Sequence, residues 1–292
     1  MTRAARGDSM RALALLALLP ACDDTLDQRL AIVDEPRVLA IISEPAEAKP
    51  GDTASYRALV ASPDGPIVTP PAWAYCRAPK PPTEDNVVST GCLDAGQLLA
   101  LGSGDTATGV LPLDGCLRYG PDVPPGGFRP RDPDPSGGYY QPVRLDVEAL
   151  LAFGNTRITC NLPTAPTELA RRYSLEYVAN KNPALLPIDL ARVPANSDVM
   201  LVAEWPDDAV ETFLYFDART QLLVDRREAM RVSWFATGGS LPVDASAVAE
   251  DETATRVQTT WHTPGPGHAV LWVVLRDSRG GIATQTIEVT IE

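Results

Sequence analysis

Residues 269–291 constrain the fold more than any other part of the sequence. Ala269-Val270-Leu271-Trp272-Val273-Val274-Leu275 is apolar throughout. In an extended chain Val270, Trp272 and Val274 therefore lie on one face and Leu271, Val273 and Leu275 on the other. Arg276-Asp277-Ser278-Arg279-Gly280-Gly281 supplies a polar turn, and the returning segment sets Ile287, Val289 and Ile291 against Thr286, Glu288 and Thr290. This is a β-hairpin. One face of its first strand fills a core, so the other must be covered, most simply by another part of the same chain. The 28 prolines and 21 glycines exclude a helical bundle and leave mostly strand and loop.

The same grammar recurs upstream. Residues 37–42 alternate as a half-buried strand, Lys49-Pro50-Gly51-Asp52 turns, and residues 53–61 form a second strand with Tyr56, Ala58 and Val60 on one side. A short third strand at 71–76 carries Trp73. Residues 198–205 match the second strand in type, and residues 230–236 give a third strand centred on Trp234, so Trp73 and Trp234 are expected to be equivalent. A hairpin also closes the first half, with strands at 143–150 and 156–160 and a turn at Phe153-Gly154-Asn155. The chain thus reads as two strand-rich domains, 36–182 and 183–292, with Pro183 to Pro187 leading into the second. Residues 77–140 depart from this pattern. They are rich in proline and glycine, lack periodicity, and read as a long insertion in the first domain.

The amino terminus is a targeting segment. Arg3, Arg6 and Arg11 precede an apolar run at 12–19, too short to span a bilayer but suited to a signal peptide of residues 1–21. The run ends at Leu19-Pro20-Ala21-Cys22, which resembles a bacterial lipobox. That resemblance implies that Cys22 is acylated and that residues 22–35 form an acidic tether between the bilayer and the first domain. The outer membrane is the expected address. With 38 acidic and 25 basic residues the net charge is −13, which argues against nucleic acid as a partner.

Cys76, Cys92, Cys116 and Cys160 remain after Cys22. An even number in an exported chain points to two disulfides. Zinc is disfavoured, because there is no C-x-x-C pair and no histidine nearby. Of the three connectivities we favour Cys76 with Cys92, closing a loop of about 15 residues at roughly 3 kcal/mol of loop entropy, and Cys116 with Cys160, pinning the insertion to the closing hairpin.

The lipobox, the two tryptophan strands, Gly137-Gly138-Tyr139-Tyr140 and the Arg276-Asp277-Ser278-Arg279-Gly280-Gly281 hairpin together resemble tandem immunoglobulin-like β-sandwich lipoproteins of the Gram-negative envelope. The resemblance covers nearly all of the mature chain. It implies an all-β fold of two tandem sandwiches and a structural, adaptor or assembly role without enzymatic activity.

Chemistry is sparse. The two histidines, His262 and His268, share one short Pro-Gly segment without a ligand-spaced acid or cysteine, so no metal site is expected there. No G-x-S-x-G elbow supports a serine hydrolase, and no cofactor is expected. Asp132 and Asp134 suggest calcium of the adhesion type, but the glycine-containing twelve-residue loop is missing. Tyr139 and Tyr140 suggest stacking on a sugar ring, with burial at a sandwich corner as the plainer use. If the chain binds a glycan, peptidoglycan or an envelope protein, the insertion is the expected contact, through Arg129, Arg131, Asp132, Asp134, Tyr139 and Tyr140.

Overall fold

The computed structural model describes residues 30–63, 67, 69–78, 88–123, 126 and 137–292. The signal peptide, Cys22, Arg129, Arg131, Asp132 and Asp134 lie outside the described residues.

The first domain contains β1 (Arg37–Glu44), β2 (Glu47–Ala48), β3 (Thr53–Ala61), β4 (Ala72–Cys76), β5 (Leu98–Ser103), β6 (Thr106–Val110), β7 (Gly138–Val147) and β8 (Leu150–Thr159). One sheet has the order β1-β3-β6 and the other β2-β8-β7-β4-β5. The first strand pairs antiparallel with β3. The chain then passes Pro45 and pairs β2 parallel to the last strand, β8. In immunoglobulin lettering this is A-B-E facing A′-G-F-C-C′.

The second domain contains β9 (Arg192–Val193), β10 (Asp198–Glu204), β11 (Thr212–Asp217), β12 (Leu222–Arg227), β13 (Met230–Ala236), β14 (Ala245–Val248), β15 (Arg256–His262), β16 (Gly267–Asp277) and β17 (Ile282–Ile291). Its large sheet, β14-β13-β16-β17-β9, reads C′-C-F-G-A′, again with the first element parallel to the last strand, and β10-β15 supplies B-E. The hairpin β11-β12 is inserted between strands B and C. The fold is therefore two tandem immunoglobulin-like sandwiches. Trp73 and Trp234 occupy the C strand of each, both buried, as their sequence settings suggested. The disulfides are Cys76–Cys92 and Cys116–Cys160, the expected pairing.

Four expectations need correction. The hairpin β7-β8 turns at Glu148-Ala149, with Val147 opposite Leu150 and Glu148 at φ 53°, not at Phe153-Gly154-Asn155. Gly154 is a strand residue, and it is glycine because a Cβ there would come within 2.5 Å of Ile41 on β1. Much of the supposed insertion at 77–140 is integral: β5 pairs with β4, and β6 pairs with β3. These strands carry little sequence signal, because their residues are small or exposed at an edge, as Leu99 is.

The tether, thirdly, does not extend to residue 35. Ala31 and Val33 are buried, Ile32 bridges Ala236 in parallel, and the Val33 amide donates to the Ala236 carbonyl at 2.8 Å. The fourth is a helix, α1 (Thr167–Glu176), in the connection between the sandwiches. It packs Leu169, Ala170 and Tyr173 against Leu214, Phe216 and Leu223 of the inserted hairpin.

The outer face of β16 is covered from within the chain. Trp272 and Val274 pack against Val33, Leu39, Ala40, Ile42 and Ala61 of the first domain. A fully buried Val, Leu or Ile contributes roughly 1.5–3 kcal/mol. Free motion between domains needs a small or polar interface, so this apolar seam fixes one sandwich against the other.

Candidate functional site

At the end of that seam the two sandwiches meet through charged groups. Glu47 lies on β2 and Arg157 on β8 of the first domain. Arg279 lies in the β16-β17 turn, and Glu211 and Glu228 stand at the foot of the β11-β12 hairpin. The connecting segment contributes Tyr177, Val178, Asn180 and Asn182. The side chains of Glu47, Arg157, Arg279 and Glu228 are each at most 3% exposed.

Buried charges persist only where partners replace water, and here the replacement is extensive. Glu47 accepts from Arg157 Nε at 3.1 Å, Thr159 Oγ1 at 2.9 Å, the Tyr177 hydroxyl at 2.8 Å and the Asn180 amide at 2.9 Å. Arg279 donates through Nε to Glu228 at 2.7 Å, through Nη2 to Glu211 at 2.9 Å, and through Nη1 to the Val178 carbonyl at 2.9 Å. Its guanidinium lies 4.6 Å from the Phe213 ring centre. Asp277 holds the turn by accepting from the Arg279 and Gly281 amides, and Asn180 Nδ2 bonds the same carboxylate at 3.1 Å. Asn182 bridges the domains directly, donating to the Ser43 carbonyl and accepting from the Ile282 amide, both at 2.8 Å.

The electrostatics follow from burial. Four carboxylates (Glu47, Glu211, Glu228, Asp277) surround two guanidinium groups. Burial, with Asp277 close by, pushes the Glu228 carboxyl up to about 7, against the pull of Arg279 and the Glu211 amide. Burial also raises Asp277 and pushes the Tyr177 hydroxyl up to about 12. For Arg279 burial works against the charge, but Tyr177 and Glu228 outweigh it and hold its pKa above the ordinary value.

Both glycine pairs singled out in the sequence belong to this junction. A Cβ at Gly138 would overlap the Arg157 guanidinium, and one at Gly281 would overlap the Asp277 carboxylate and crowd the Lys181 carbonyl at 2.8 Å. Tyr140 covers Arg157, with the guanidinium 5.2 Å from its ring centre, and Tyr139 stacks on Tyr119 at 5.5 Å. Tyr139 is half-buried against Tyr119, whereas Tyr140 keeps 38% of its surface exposed beside Arg157 and Gly280. His262 bonds Asp198 at the end of β10. Among the described residues no group of three or more His, Cys, Asp or Glu side chains is placed to hold a metal ion.

No family model and no curated relative matches the chain. Among solved structures it is similar to fibronectin(III)-like modules of Clostridium thermocellum CbhA, at 11% identity and TM-score 0.26 over 88% of this chain and 94% of that one. It is also similar to the D0-D1 domain of intimin, at 10% identity and TM-score 0.23 over 87% and 98%. A third is the Yersinia pseudotuberculosis adhesin InvE, at 11% and 0.20 over 86% and 58%. The assignment of the fold rests on the strand order, not on these likenesses.

Glu47, Arg157, Glu211, Glu228 and Arg279 were not chosen from the sequence, where single charged residues between strands look like solvated surface. The available signal was two of the chain's four Gly-Gly steps, Gly137-Gly138 and Gly280-Gly281, since adjacent glycines mark a close approach to the backbone.

Proposed function

We propose that the chain is a non-enzymatic cell-envelope lipoprotein, anchored through acylated Cys22, with a structural or adaptor role in which the two sandwiches act as one rigid body. The observation that supports this most is the junction. Its buried carboxylates and guanidinium groups are bonded to one another and to backbone across the domain boundary, which is an arrangement for holding geometry. The two disulfides suit an oxidising compartment, and no helix among the described residues is long and apolar enough to cross a membrane.

Labelling cells with an alkyne fatty acid tests the anchor. Wild-type protein takes up label and fractionates with membranes, and Cys22→Ala abolishes both. Label retained in the alanine variant overturns the lipoprotein reading. Chemical crosslinking in the intact envelope, followed by recovery of the protein, then tests the adaptor role. A defined protein partner or glycan crosslinked to the wild type supports it, and wild-type protein recovered only as uncrosslinked monomer overturns it.

A further inference from the structure

The two sandwiches treat their B strands differently. In the first, β1 runs antiparallel along β3, from Arg37 opposite Ala61 to Glu44 opposite Ser55. In the second, β10 pairs only with β15, and among the described residues no strand lies along its other edge. The segment that could supply one crosses to the large sheet instead. The Leu186 amide bonds the Glu204 carbonyl at 2.8 Å, the Ile188 amide bonds the Gln285 side chain at 3.0 Å, and Arg192 and Val193 then pair with β17.

The ladder shows which groups this leaves free. The Thr263 amide donates to the Ser197 carbonyl at 2.9 Å, and the Trp205 amide to the Thr255 carbonyl at 3.0 Å. Odd-numbered residues therefore bond β15, and Asp198, Met200, Val202 and Glu204 direct their amides and carbonyls the other way. The Glu204 carbonyl is taken by Leu186. Among the described residues nothing bonds the outward main-chain groups of Asp198, Met200 and Val202. Met200 is 63% exposed on the outer face, while Leu201 and Ala203 are buried in the core.

Proteins usually blunt such an edge with proline, lysine, a bulge or a covering loop. The outer edge of β15 is covered, because Ser240 and His262 bond in both directions and Ser246 Oγ bonds the Gln258 carbonyl. No such device protects β10. It has no proline or lysine, and its seven residues pair with β15 in unbroken register. Its two carboxylates stand at the ends of the strand, engaged by His262 and Arg256 of β15. In the first sandwich β6 is also an edge, but it has five residues and exposes Thr106 and Thr108 beside Val110.

We propose that the free edge of β10 pairs antiparallel with β10 of a second copy of this chain, joining two molecules through one continuous sheet centred on Met200. A two-fold axis makes two copies of an edge strand antiparallel, which is the direction β1 takes along β3. Charge selects the register. With Met200 opposite Met200 of the second copy, Asp198 faces Val202 and Glu204 faces Asn196, so no like charges meet. The pairs at 198, 200 and 202 each exchange two main-chain bonds. Centring on Leu201 instead would set Asp198 against Glu204 of the second copy, a like-charge pair. In the Met200 register the two methionines lie side by side, flanked by Val202, and cover apolar surface that is exposed in the single molecule.

The test uses the chain from residue 22 onward with Cys22→Ala, so that pairing is read whatever anchors the protein. Sedimentation equilibrium gives a reversible dimer for this parent. Met200→Pro removes the outward amide at the centre of the pairing without touching the bonds to β15, and weakens dimerisation by about tenfold or more. Thr108→Pro, the same change at the β6 edge, leaves the dimer intact. Met200→Lys sets two ammonium groups opposite each other and breaks the dimer as well, which covers the case of a proline variant that does not fold. Met200→Cys forms an intermolecular disulfide on mild oxidation, since Cα atoms of such a pair stand about 5.5 Å apart. A parent that stays monomeric at its highest soluble concentration overturns the proposal. So does a folded Met200→Lys protein that dimerises like the parent, or a dimer lost in Thr108→Pro and kept in Met200→Pro. Oxidation of Met200→Cys in envelope extract that links it to a different protein in place of its own copy assigns the edge to a foreign strand, and likewise overturns it.

Discussion

The two sandwiches share a strand order and differ in what fills it. The first builds a smaller core around Tyr56, Trp73 and Tyr75 with Ile41, Leu111, Val143, Leu145, Val147 and Ile158, and carries both disulfides. The second contains Trp205, Trp234 and Trp261 with Leu201, Leu271, Leu275 and Ile287, and no disulfide. A smaller core with one tryptophan in place of three buries less apolar area, and the transfer free energy scales with that area. The first domain offsets the deficit by cross-links, which restrict the unfolded chain, and by a buried hydroxyl ladder. In that ladder Ser43 and Tyr56 both bond Thr156, and Tyr56 bonds Tyr75. One topology is thus stabilised in one domain through covalent and polar links and in the other through apolar volume.

The sharpest way to expose that difference is to uncouple the domains. Arg279→Ala leaves Glu228 without its counter-charge in a buried site, while Glu47 keeps Arg157 and Glu211 keeps Lys181, a loss of about 3–5 kcal/mol. The wild type is expected to unfold in urea as one transition, and the variant in two, only the earlier or the later of which responds to reductant. A single coincident transition in Arg279→Ala would show that the apolar seam alone couples the sandwiches.

Removing the cross-links addresses the first domain by itself. The Cys116–Cys160 bridge spans 44 residues, for which loop entropy gives about 4 kcal/mol. Cys76–Cys92 spans 16, worth about 3 kcal/mol by the same relation. Paired serine substitutions at each bridge in the Arg279→Ala background, followed by urea titration, should lower the reductant-sensitive transition in that order and leave the other unmoved. Equal losses from both domains would contradict the contrast.

How much of this was legible in the sequence depends on periodicity. Strands with strict alternation or a full apolar run, such as β3, β13, β16 and β17, were readable because a period of two survives without tertiary information. Short or edge strands made of Leu, Ala, Gly and Thr, such as β5 and β6, were not. Nor was α1, whose Pro166-Thr167-Glu168 start and Arg172–Glu176 pair are ordinary helix signals placed where a connection was expected. The two disulfides were readable from spacing. The junction was not, because Glu47 and Arg157 lie 110 residues apart and each is unremarkable by itself. Their burial is decided by the packing of the second domain on the first.

The junction also gives the molecule a pH dependence that neither sandwich core has. The folded-state pKa of Glu228, about 7, lies above the ordinary 4.5, so the native state holds the proton more tightly than the unfolded chain. Stability from this group is complete below about pH 4.5 and is lost as pH rises through 7. At about 1.4 kcal/mol per pKa unit the change is at most about 3.5 kcal/mol, and Asp277, also raised, acts in the same direction. Urea midpoints measured from pH 5 to pH 8 should therefore fall in the wild type. Glu228→Gln, which cannot ionise, should flatten much of that slope. An unchanged slope would place the titration elsewhere.

The smallest effect tests the hydroxyl ladder. Tyr56 is buried, and its hydroxyl stands 2.9 Å from both Tyr75 and Thr156, the latter bonded to Ser43 at 2.7 Å. Burial raises both tyrosine pKa values, so each remains a neutral donor and acceptor. Tyr56→Phe keeps the ring that stacks near Trp73 and removes only the central oxygen. Tyr75 and Thr156 then lose a partner at a site that water does not reach, a cost of about 1–3 kcal/mol. Trp261→Phe, its counterpart in the second core, removes ring volume and the bond from its indole nitrogen to the Gly238 carbonyl. If the domains are stabilised as argued, Tyr56→Phe lowers only the reductant-sensitive transition and Trp261→Phe only the other, both measured in the Arg279→Ala background where the transitions are separate. A Tyr56→Phe protein as stable as its parent would mean that the ladder is incidental, leaving the disulfides as the first domain's sole compensation for its small core.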